Sequence, residues 1–295
     1  MSCYVTAADA PEAFGRIAGV RIKADPTESL HRFKQREIAA VFGRCPRKLF
    51  RRALELGAGD GYTSTLLAEY VQELVCTDMN PRRLTGIDTD SVAFRILDAE
   101  EVGEQFSSGE FDLVYSSSLL EHLPDPGRAL RGIHRILRDD GISIHLMPNR
   151  LWKGTTVLLY MPNRLLTSVE KLLIAATPSS GRTHSTRRPP YGGNNLKLAR
   201  RKQSFLTKQF LPRTHGVSGN TLAEFLAFGK ARWVHEFQLA GFRVLAVKRV
   251  AFSSGYRFGY ERVRRVLERL GLYTVSAYIL CKQDAQSPLA THLLP

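Results

Sequence analysis

The sequence predicts an α/β fold built around a parallel sheet. From residue 50 to residue 150, short apolar segments typical of buried strands alternate with segments whose apolar residues recur at helical spacing. The first strand segment runs into a loop with glycine at every second position, and the next three end in acidic or hydroxyl-bearing residues. Because parallel strands end at one edge of a sheet, we expect these loops to form one ligand site there.

Ahead of the glycine-rich loop the pattern predicts a single helix. Asp25, Pro26 and Thr27 can open it, with Asp25 or Thr27 as the N-cap, and it continues through Phe42. Its apolar stripe consists of Leu30, Phe33, Ile38 and Val41. We expect this stripe to pack on the sheet.

The glycine-rich loop runs from Gly57 to Gly61, between a strand around Leu56 and a helix. Glycine is needed where a side chain would keep the backbone away from a ligand, or where a turn requires positive φ. The dinucleotide-binding pattern would place its third glycine where this chain has Tyr62. The loop alone therefore indicates a nucleotide-like cofactor without identifying it.

The strands that follow supply polar groups suited to an adenosine. The segment Glu73–Asp78 ends in a carboxylate 21 positions after Gly57, where it can accept hydrogen bonds from both ribose hydroxyls. The third strand, Val92–Leu97, leads to Asp98, whose carboxylate can accept from an adenine amino group. The fourth strand, Phe111–Tyr115, leads into three serines.

Together these residues resemble the class I S-adenosylmethionine-dependent methyltransferases, in particular the small-molecule, methyltransferase type 11-like group. That group carries a Leu-Glu-His-Leu-Pro-Asp-Pro segment after strand four, which is Leu120–Pro126 in this chain. The resemblance covers roughly residues 50 to 150. It implies a Rossmann-like seven-stranded methyltransferase sheet with helices on both faces, S-adenosyl-L-methionine as the cofactor, and an N-terminal helix that can close over it.

The resemblance also implies the cofactor contacts. It places the glycine-rich loop beside the methionine part of the cofactor, Asp78 on the ribose, and Asp98 with Ala99 around the adenine. The full expected set is Glu55, Gly57, Ala58, Gly59, Gly61, Asp78, Met79, Asp98, Ala99 and Ser116. Because only 20 positions separate Asp78 from Asp98, the helix between them should be short or missing.

We divide the chain into four predicted parts. Residues 1–150 hold the N-terminal helix and the cofactor-binding part, 151–235 a basic, partly amphipathic helical and loop insertion after strand five, 236–283 strands six and seven, and 284–295 a tail. The remaining predicted elements are a helix from Asp125 to Arg138, strand five over Ile142–Met147, a helix from Thr221 to Leu239, strand six to Ala251, a helix over Arg257–Leu270, a strand seven over Thr274–Leu280 that the resemblance makes antiparallel, and a frayed segment after Gln283.

Charge differs sharply between the two halves. Residues 1–149 carry 18 Lys plus Arg and 22 Asp plus Glu, a net charge of −4, whereas the remainder carries 24 and 6, a net charge of +18. No acidic residue occurs from Lys171 to Ala223. An amphipathic helix is expected just before this basic stretch, and such a segment can lie on an anionic membrane surface. Its apolar residues are Leu165, Leu166, Val169, Leu172 and Leu173.

His122 is the candidate catalytic base. A methyl group on a sulfonium is already activated, so the protein mainly has to position the acceptor, but a hydroxyl acceptor must also lose its proton. Imidazole suits that task because it titrates near neutral pH. The alternative is that Glu121 and His122 only fix their loop to the domain. His145 and His215 are weaker candidates.

The sequence predicts no required metal. Related enzymes, including ubiquinone-pathway O-methyltransferases, hold a divalent metal on a Glu-x-x-Glu-His cluster, in which Ser118 replaces the first glutamate here. Glu121 and His122 leave two ligands, which is few for magnesium. The four cysteines are widely separated, and neither a secretory signal nor a spanning apolar run is evident. We therefore expect a cytoplasmic protein, with peripheral contact to the inner face of the membrane as an option.

Three functions remain open. The first is methylation, at oxygen, of a small or lipid-linked acceptor such as a sugar or polyprenyl compound. The second is RNA methylation, in which the basic half follows the phosphate backbone. It ranks lower because no RNA-binding module can be recognised. The third is a cofactor-binding protein without catalysis. The sequence leaves the acceptor atom and the oligomeric state open.

Overall fold

The computed structural model describes residues 26–80, 91–176, 221–253 and 261–294. Their centre is one seven-stranded sheet with the order β3-β2-β1-β4-β5-β7-β6. The strands are β1 Phe50–Leu56, β2 Val71–Asp78, β3 Val92–Ile96, β4 Phe111–Ser117, β5 Leu137–Pro148, β6 Phe242–Ala251 and β7 Val275–Lys282. Strands β1 to β5 pair in parallel, and β7 is antiparallel to both β5 and β6. The predicted seven-stranded α/β fold, with its antiparallel seventh strand, is confirmed.

Helices cover both faces of this sheet. They are α1 Pro26–Phe42, α2 Tyr62–Leu67, α3 Val102–Gln105, α4 Pro126–Ile136, α5 Arg150–Leu158, α6 Tyr160–Ala176, α7 Thr221–Ala227, α8 Lys230–Leu239 and α9 Glu261–Arg269. Alternate residues of a strand face opposite sides, so neighbours such as Ala53 and Leu54 enter two separate apolar cores. One core contains residues of α1 and α2, and the other contains residues of α3, α4 and α8.

Two predicted boundaries differ from the structure. Strand β5 begins at Leu137, which pairs with Phe111, and the register then shifts so that Ile142 pairs with Leu113. The segment from 138 to 141, expected as a helix end and turn, is therefore an irregular stretch of strand. The helix expected from Thr221 to Leu239 is two helices that separate before Gly229. Gly229 has extended backbone, with φ −70° and ψ 134°, and this ends the first helix before the second begins.

The expectation of a frayed tail is wrong for residues 284–294. A short 3-10 helix at Pro288–His292 precedes Leu293, which is fully buried in the core on the α1 side. The hydroxyl of Ser287 donates to the carbonyl oxygen of Asp140, so the tail is also tied to β5. Its apolar side chains complete the packing of the sheet face rather than extending into solvent.

Two predicted features lie outside the described residues: the short or missing helix between Asp78 and Asp98 falls mostly within residues 81–90, and most of the basic stretch falls within residues 177–220. Within the described ranges, none of the helices combines the length and the apolar character needed to cross a bilayer.

Candidate functional site

The glycine-rich loop joins β1 to α2 at the carboxyl edge of the parallel strands. Gly57, Gly59 and Gly61 all have positive φ, at 74°, 63° and 78°. The amides of Gly57 and Ala58 both donate to the carbonyl oxygen of Thr77, at 2.8 and 2.9 Å, which fixes the loop against β2. Left-handed backbone at three positions disfavours any residue with a Cβ, which explains the alternating glycines.

Asp78, the last residue of β2, closes the loop from the neighbouring strand. Its carboxylate accepts from the amide of Gly59 at 3.0 Å and from the amide of Asn80 at 2.8 Å. The residue is 8% exposed. Two backbone donors hold the carboxylate in one orientation at the edge where the loop lies, and each carboxylate oxygen can accept more than one hydrogen bond.

The end of β3 adds the residues expected around the adenine. Asp98 caps a short 3-10 helix by accepting from the amide of Glu100 at 3.0 Å, and Ala99 is buried. The amide of Leu97 donates to the carbonyl oxygen of Asp78, so this segment stays beside the end of β2. Met79, in contrast, is half exposed.

The side chains of two other expected cofactor residues make hydrogen-bond contacts with other residues of the protein. The carboxyl group of Glu55 accepts from the hydroxyl of Ser64, and burial raises its pKa to about 7. The hydroxyl of Ser116 lies 2.8 Å from Nδ1 of His145. Their roles toward a cofactor stay predictions, together with those of the other residues in the expected set.

The arrangement nevertheless fits an adenosyl cofactor. A Cβ built on Gly59 meets no heavy atom within 4 Å, so open space lies directly over the loop, whereas one on Gly57 would approach Leu119 to 3.1 Å. A bare backbone, an adjacent fixed carboxylate at Asp78 and a second carboxylate at Asp98 provide the acceptors that ribose and adenine groups require.

The segment after β4 places a buried carboxyl group beside His122. Among the described residues, neither carboxyl oxygen of Glu121 has a hydrogen-bond partner, and burial raises the pKa of Glu121 to about 8. Ser118 has a positive φ of 54°, unusual for a residue other than glycine. Nε2 of His122 lies 3.9 Å from Oε1 of Glu121, and burial lowers the pKa of His122. His122 therefore favours the neutral form that a general base needs.

Sequence reasoning missed a polar contact between α1 and the end of β4. Lys34 donates to Glu37 and to the hydroxyl of Ser117, both at 2.7 Å, and Ser117 donates to Glu37 at 3.0 Å. Glu37 is fully buried. The signal was present, because Glu37 lies four residues after Phe33 and four before Val41, inside the apolar stripe of the helix.

A second missed contact joins α1 directly to the glycine-rich loop. The rings of His31 and Tyr62 stack with centroids 3.7 Å apart, and Gln35 donates to the Tyr62 hydroxyl at 2.6 Å. Nε2 of His31 also lies 3.4 Å from Asp60. In the sequence, Tyr62 was notable only because it stands where the dinucleotide-binding pattern has its third glycine. In the structure its contacts fix α1 over the loop.

The two weaker histidine candidates have different outcomes. His145 is fully buried, its two ring nitrogens lie 2.8 Å from the hydroxyls of Ser116 and Ser143, and burial lowers its pKa to about 3. It is a neutral core residue rather than an accessible base. His215 lies outside the described residues. Across the ranges that the structure describes, no cluster of three or more potential metal-binding His, Cys, Asp or Glu side chains occurs.

A model of the methyltransferase domain family matches residues 54–145, which contain the glycine-rich loop, Asp78, Asp98 and His122. A ubiquinone biosynthesis O-methyltransferase of Pseudomonas aeruginosa is 30% identical over 97 residues, 31% of this chain and 41% of the relative. A Mycobacterium tuberculosis protein named "Probable S-adenosylmethionine-dependent methyltransferase" is 25% identical over 147 residues, 50% of this chain and 53% of the relative. The chain thus spans about half or less of these relatives.

The fold is also that of solved methyltransferase structures. The protein solved in complex with the Trm112 methyltransferase activator of Haloferax volcanii superposes with a TM-score of 0.51 at 14% identity, covering 86% of this chain and 92% of that one. At such low identity the likeness concerns the fold alone. The matched residues and the loop geometry show a methyltransferase domain at residues 54–145, and S-adenosyl-L-methionine is the cofactor that this domain implies.

Proposed function

We propose that the protein transfers a methyl group from S-adenosyl-L-methionine to a hydroxyl oxygen of a small or lipid-linked acceptor. The observation that carries this proposal is the direct hydrogen bond from the amide of Gly59 to the carboxylate of Asp78. It joins the glycine-rich loop and the carboxylate expected to bind the ribose hydroxyls into one preformed site at the sheet edge. When bound there, the cofactor supplies the activated methyl group.

The chain contributes positioning and proton removal. The contacts of α1 with Tyr62 and Ser117 hold this helix beside both the loop and the end of β4, where it limits access of water. His122 is the proposed base, because burial lowers its pKa and its side chain remains 38% exposed. The neighbouring Glu121 keeps its proton up to about pH 8, so it adds no negative charge that would make His122 retain its proton.

Oxygen as the acceptor atom has two supports. The Pseudomonas aeruginosa relative is named as a ubiquinone biosynthesis O-methyltransferase, although it is matched over only 41% of its length. A neutral imidazole after β4 also suits deprotonation of a hydroxyl. We propose that α5 to α7 form the acceptor side, because α5 begins directly after β5 at the same edge as the glycine-rich loop.

Comparison of lipid and small-molecule extracts from cells with and without the protein tests this function. We expect one compound to carry an additional methyl group only when the wild-type chain is present, and Asp78→Ala to abolish its formation. S-adenosylhomocysteine should bind the purified wild-type chain in calorimetry, and this binding should be lost with Asp78→Ala. Unchanged affinity in that variant would overturn the cofactor site.

RNA methylation is the second candidate, favoured by the net charge of +18 after residue 149. It predicts methyl incorporation into RNA and binding that falls steeply with salt. Incorporation into RNA but not into lipids or small molecules would replace the first proposal. A chain that binds S-adenosylhomocysteine but methylates nothing would support the third reading, a protein without catalysis.

A further inference from the structure

The helices after β5 expose apolar side chains in a regular stripe. In α5 and α6, Leu158, Met161, Leu165 and Val169 follow each other at intervals of three or four residues, and all are exposed. Within α6 this spacing places Met161, Leu165 and Val169 along one side of the helix, and Leu158 is the last residue of α5 just before it. An ordinary surface helix packs its apolar side against the protein core. This stripe instead faces solvent and has no packing partner among the described residues.

A second stripe lies on the neighbouring helix. Leu222, Phe225 and Leu226 of α7 are exposed and again have helical spacing. Helix α7 packs against α5. The guanidinium of Arg150, the first residue of α5, lies 5.8 Å from the ring centre of Phe225. The two stripes therefore belong to one helical subassembly, which we call the α5–α7 surface.

Basic side chains flank this surface. Arg150 and Arg164 flank the stripes, and the guanidinium of Arg164 lies over the ring of Tyr160. The carboxylate of Glu224 is fully buried in an ion pair with Lys153, so it adds no negative charge to the surface. Helix α9, which ends just before β7 at the same sheet edge, likewise exposes apolar and basic side chains. These are Val263, Val266, Leu270, Arg265 and Arg269.

From this combination we infer that the α5–α7 surface docks on an anionic phospholipid membrane. Aliphatic side chains can enter the lipid headgroup region while the arginines contact lipid phosphates. The inference deepens the proposed function, because a lipid-linked acceptor would then reach the glycine-loop edge from the membrane on which the protein lies. It does not require the chain to span the bilayer.

Vesicle flotation tests the inference without cofactor. The probe is vesicles of phosphatidylcholine and phosphatidylglycerol, compared with vesicles of phosphatidylcholine alone. We expect the full chain to float with the anionic vesicles, less so in high salt, and Leu158→Asp or Leu165→Asp to lower the bound fraction about tenfold. Leu239→Asp is the matched control, because Leu239 is 69% exposed, close to the 75% of Leu158, but lies at the opposite sheet edge.

Other occupants of the surface give different outcomes. A dimer in sedimentation that dissociates with Leu158→Asp, without vesicle binding, would replace the membrane by a second copy of the chain. Binding to single-stranded RNA that depends on Leu158 and Leu165, without vesicle binding, would likewise overturn the inference. Equal flotation of Leu158→Asp, Leu165→Asp and Leu239→Asp would also overturn it.

The inference and the proposed function can fail separately. Asp78→Ala should lose S-adenosylhomocysteine binding yet float like the wild-type chain. Methylation of a water-soluble acceptor by a chain that does not float would reject the membrane and leave the activity. Flotation by a chain that methylates nothing would support the membrane inference and reject the proposed activity.

Discussion

The carboxyl edge of the sheet, which carries the glycine-rich loop, and the α5–α7 surface differ in the groups that they offer for contacts. At the edge, backbone amides and buried carboxylates make the contacts, and three glycines keep side chains away. On the α5–α7 surface, large apolar side chains project into solvent from helices anchored by one buried ion pair. Under the functions proposed above, the first region fixes one small ligand and the second contacts a broad, deformable surface.

The largest expected effect is on cofactor binding. Gly59→Arg places a side chain in the open space over the loop, and we expect no measurable S-adenosylhomocysteine binding in calorimetry. Gly109→Arg is the matched control, since Gly109 also has a positive φ, 65°, and free space around its Cβ, but precedes β4 at the opposite edge. Both variants carry a backbone strain of about 1–2 kcal/mol. Equal loss of binding in both would mean that strain alone explains the effect.

The next prediction concerns the anchor of the α5–α7 surface. Lys153→Ala removes the buried ammonium group that pairs with the carboxylate of Glu224, so we expect the free energy of unfolding to fall by about 3–5 kcal/mol in urea titrations. Replacing both residues, with Lys153→Met and Glu224→Leu, should restore most of that loss, because no buried charge remains. A single variant as stable as the wild-type chain would contradict the buried pair.

His122→Ala tests whether the segment after β4 is catalytic or only structural. Removal of a general base should lower turnover about 10² to 10⁴-fold with little change in S-adenosylhomocysteine affinity. Because burial lowers the pKa of His122, the acidic limb of the wild-type pH–rate profile should lie below the ordinary value of 6.5. His134→Ala is the control and should leave turnover unchanged, although burial also lowers the pKa of His134. Full turnover of His122→Ala would assign His122 to the scaffold.

A smaller effect is expected from Glu121. The pKa of Glu121 is raised to about 8 from an ordinary value of 4.5, so between these values the unfolded chain has lost the proton that the folded chain retains. This difference lowers the free energy of unfolding as pH rises through that window. Glu121→Gln should therefore stabilise the chain more at pH 8 than at pH 5 in urea titrations. The exposed Glu104→Gln should show no such difference. A pH-independent effect of Glu121→Gln would contradict the raised pKa.

Most of the sheet could be predicted from the sequence because its central strands β1, β2 and β4 are short and mostly apolar and buried. The positions of Gly57 and Asp78 followed from the same pattern. The start of β5 could not, since Asp139, Asp140 and Gly141 favour a turn and only the irregular pairing with β4 reveals a strand. The division of the helix at Gly229 could not be predicted either, because the apolar spacing continues across the extended backbone at this residue.

The residues missed in the site have one physical reason in common. Glu37 lies inside the apolar stripe of α1, which indicates burial, but its partner Ser117 is 80 positions away. Lys34 and His31 likewise act through contacts with segments far away in the sequence, which local periodicity does not report. Their residue types alone indicated an ordinary helix surface. The helix around Leu165 was expected to be amphipathic and able to lie on a membrane surface, and Leu165 and Val169 of its apolar residues are exposed.

The ion pair between Lys153 and Glu224 joins positions 71 residues apart and so closes a long stretch of sequence into a loop with fixed ends. The entropic cost of closing such a loop grows only slowly with its length. Insertions, deletions and substitutions between the two residues can therefore accumulate while the sheet and its cofactor edge keep their geometry. Under the proposal that α5 to α7 form the acceptor side, changes in this stretch would alter which acceptor is recognised and leave the methyl-donor site intact.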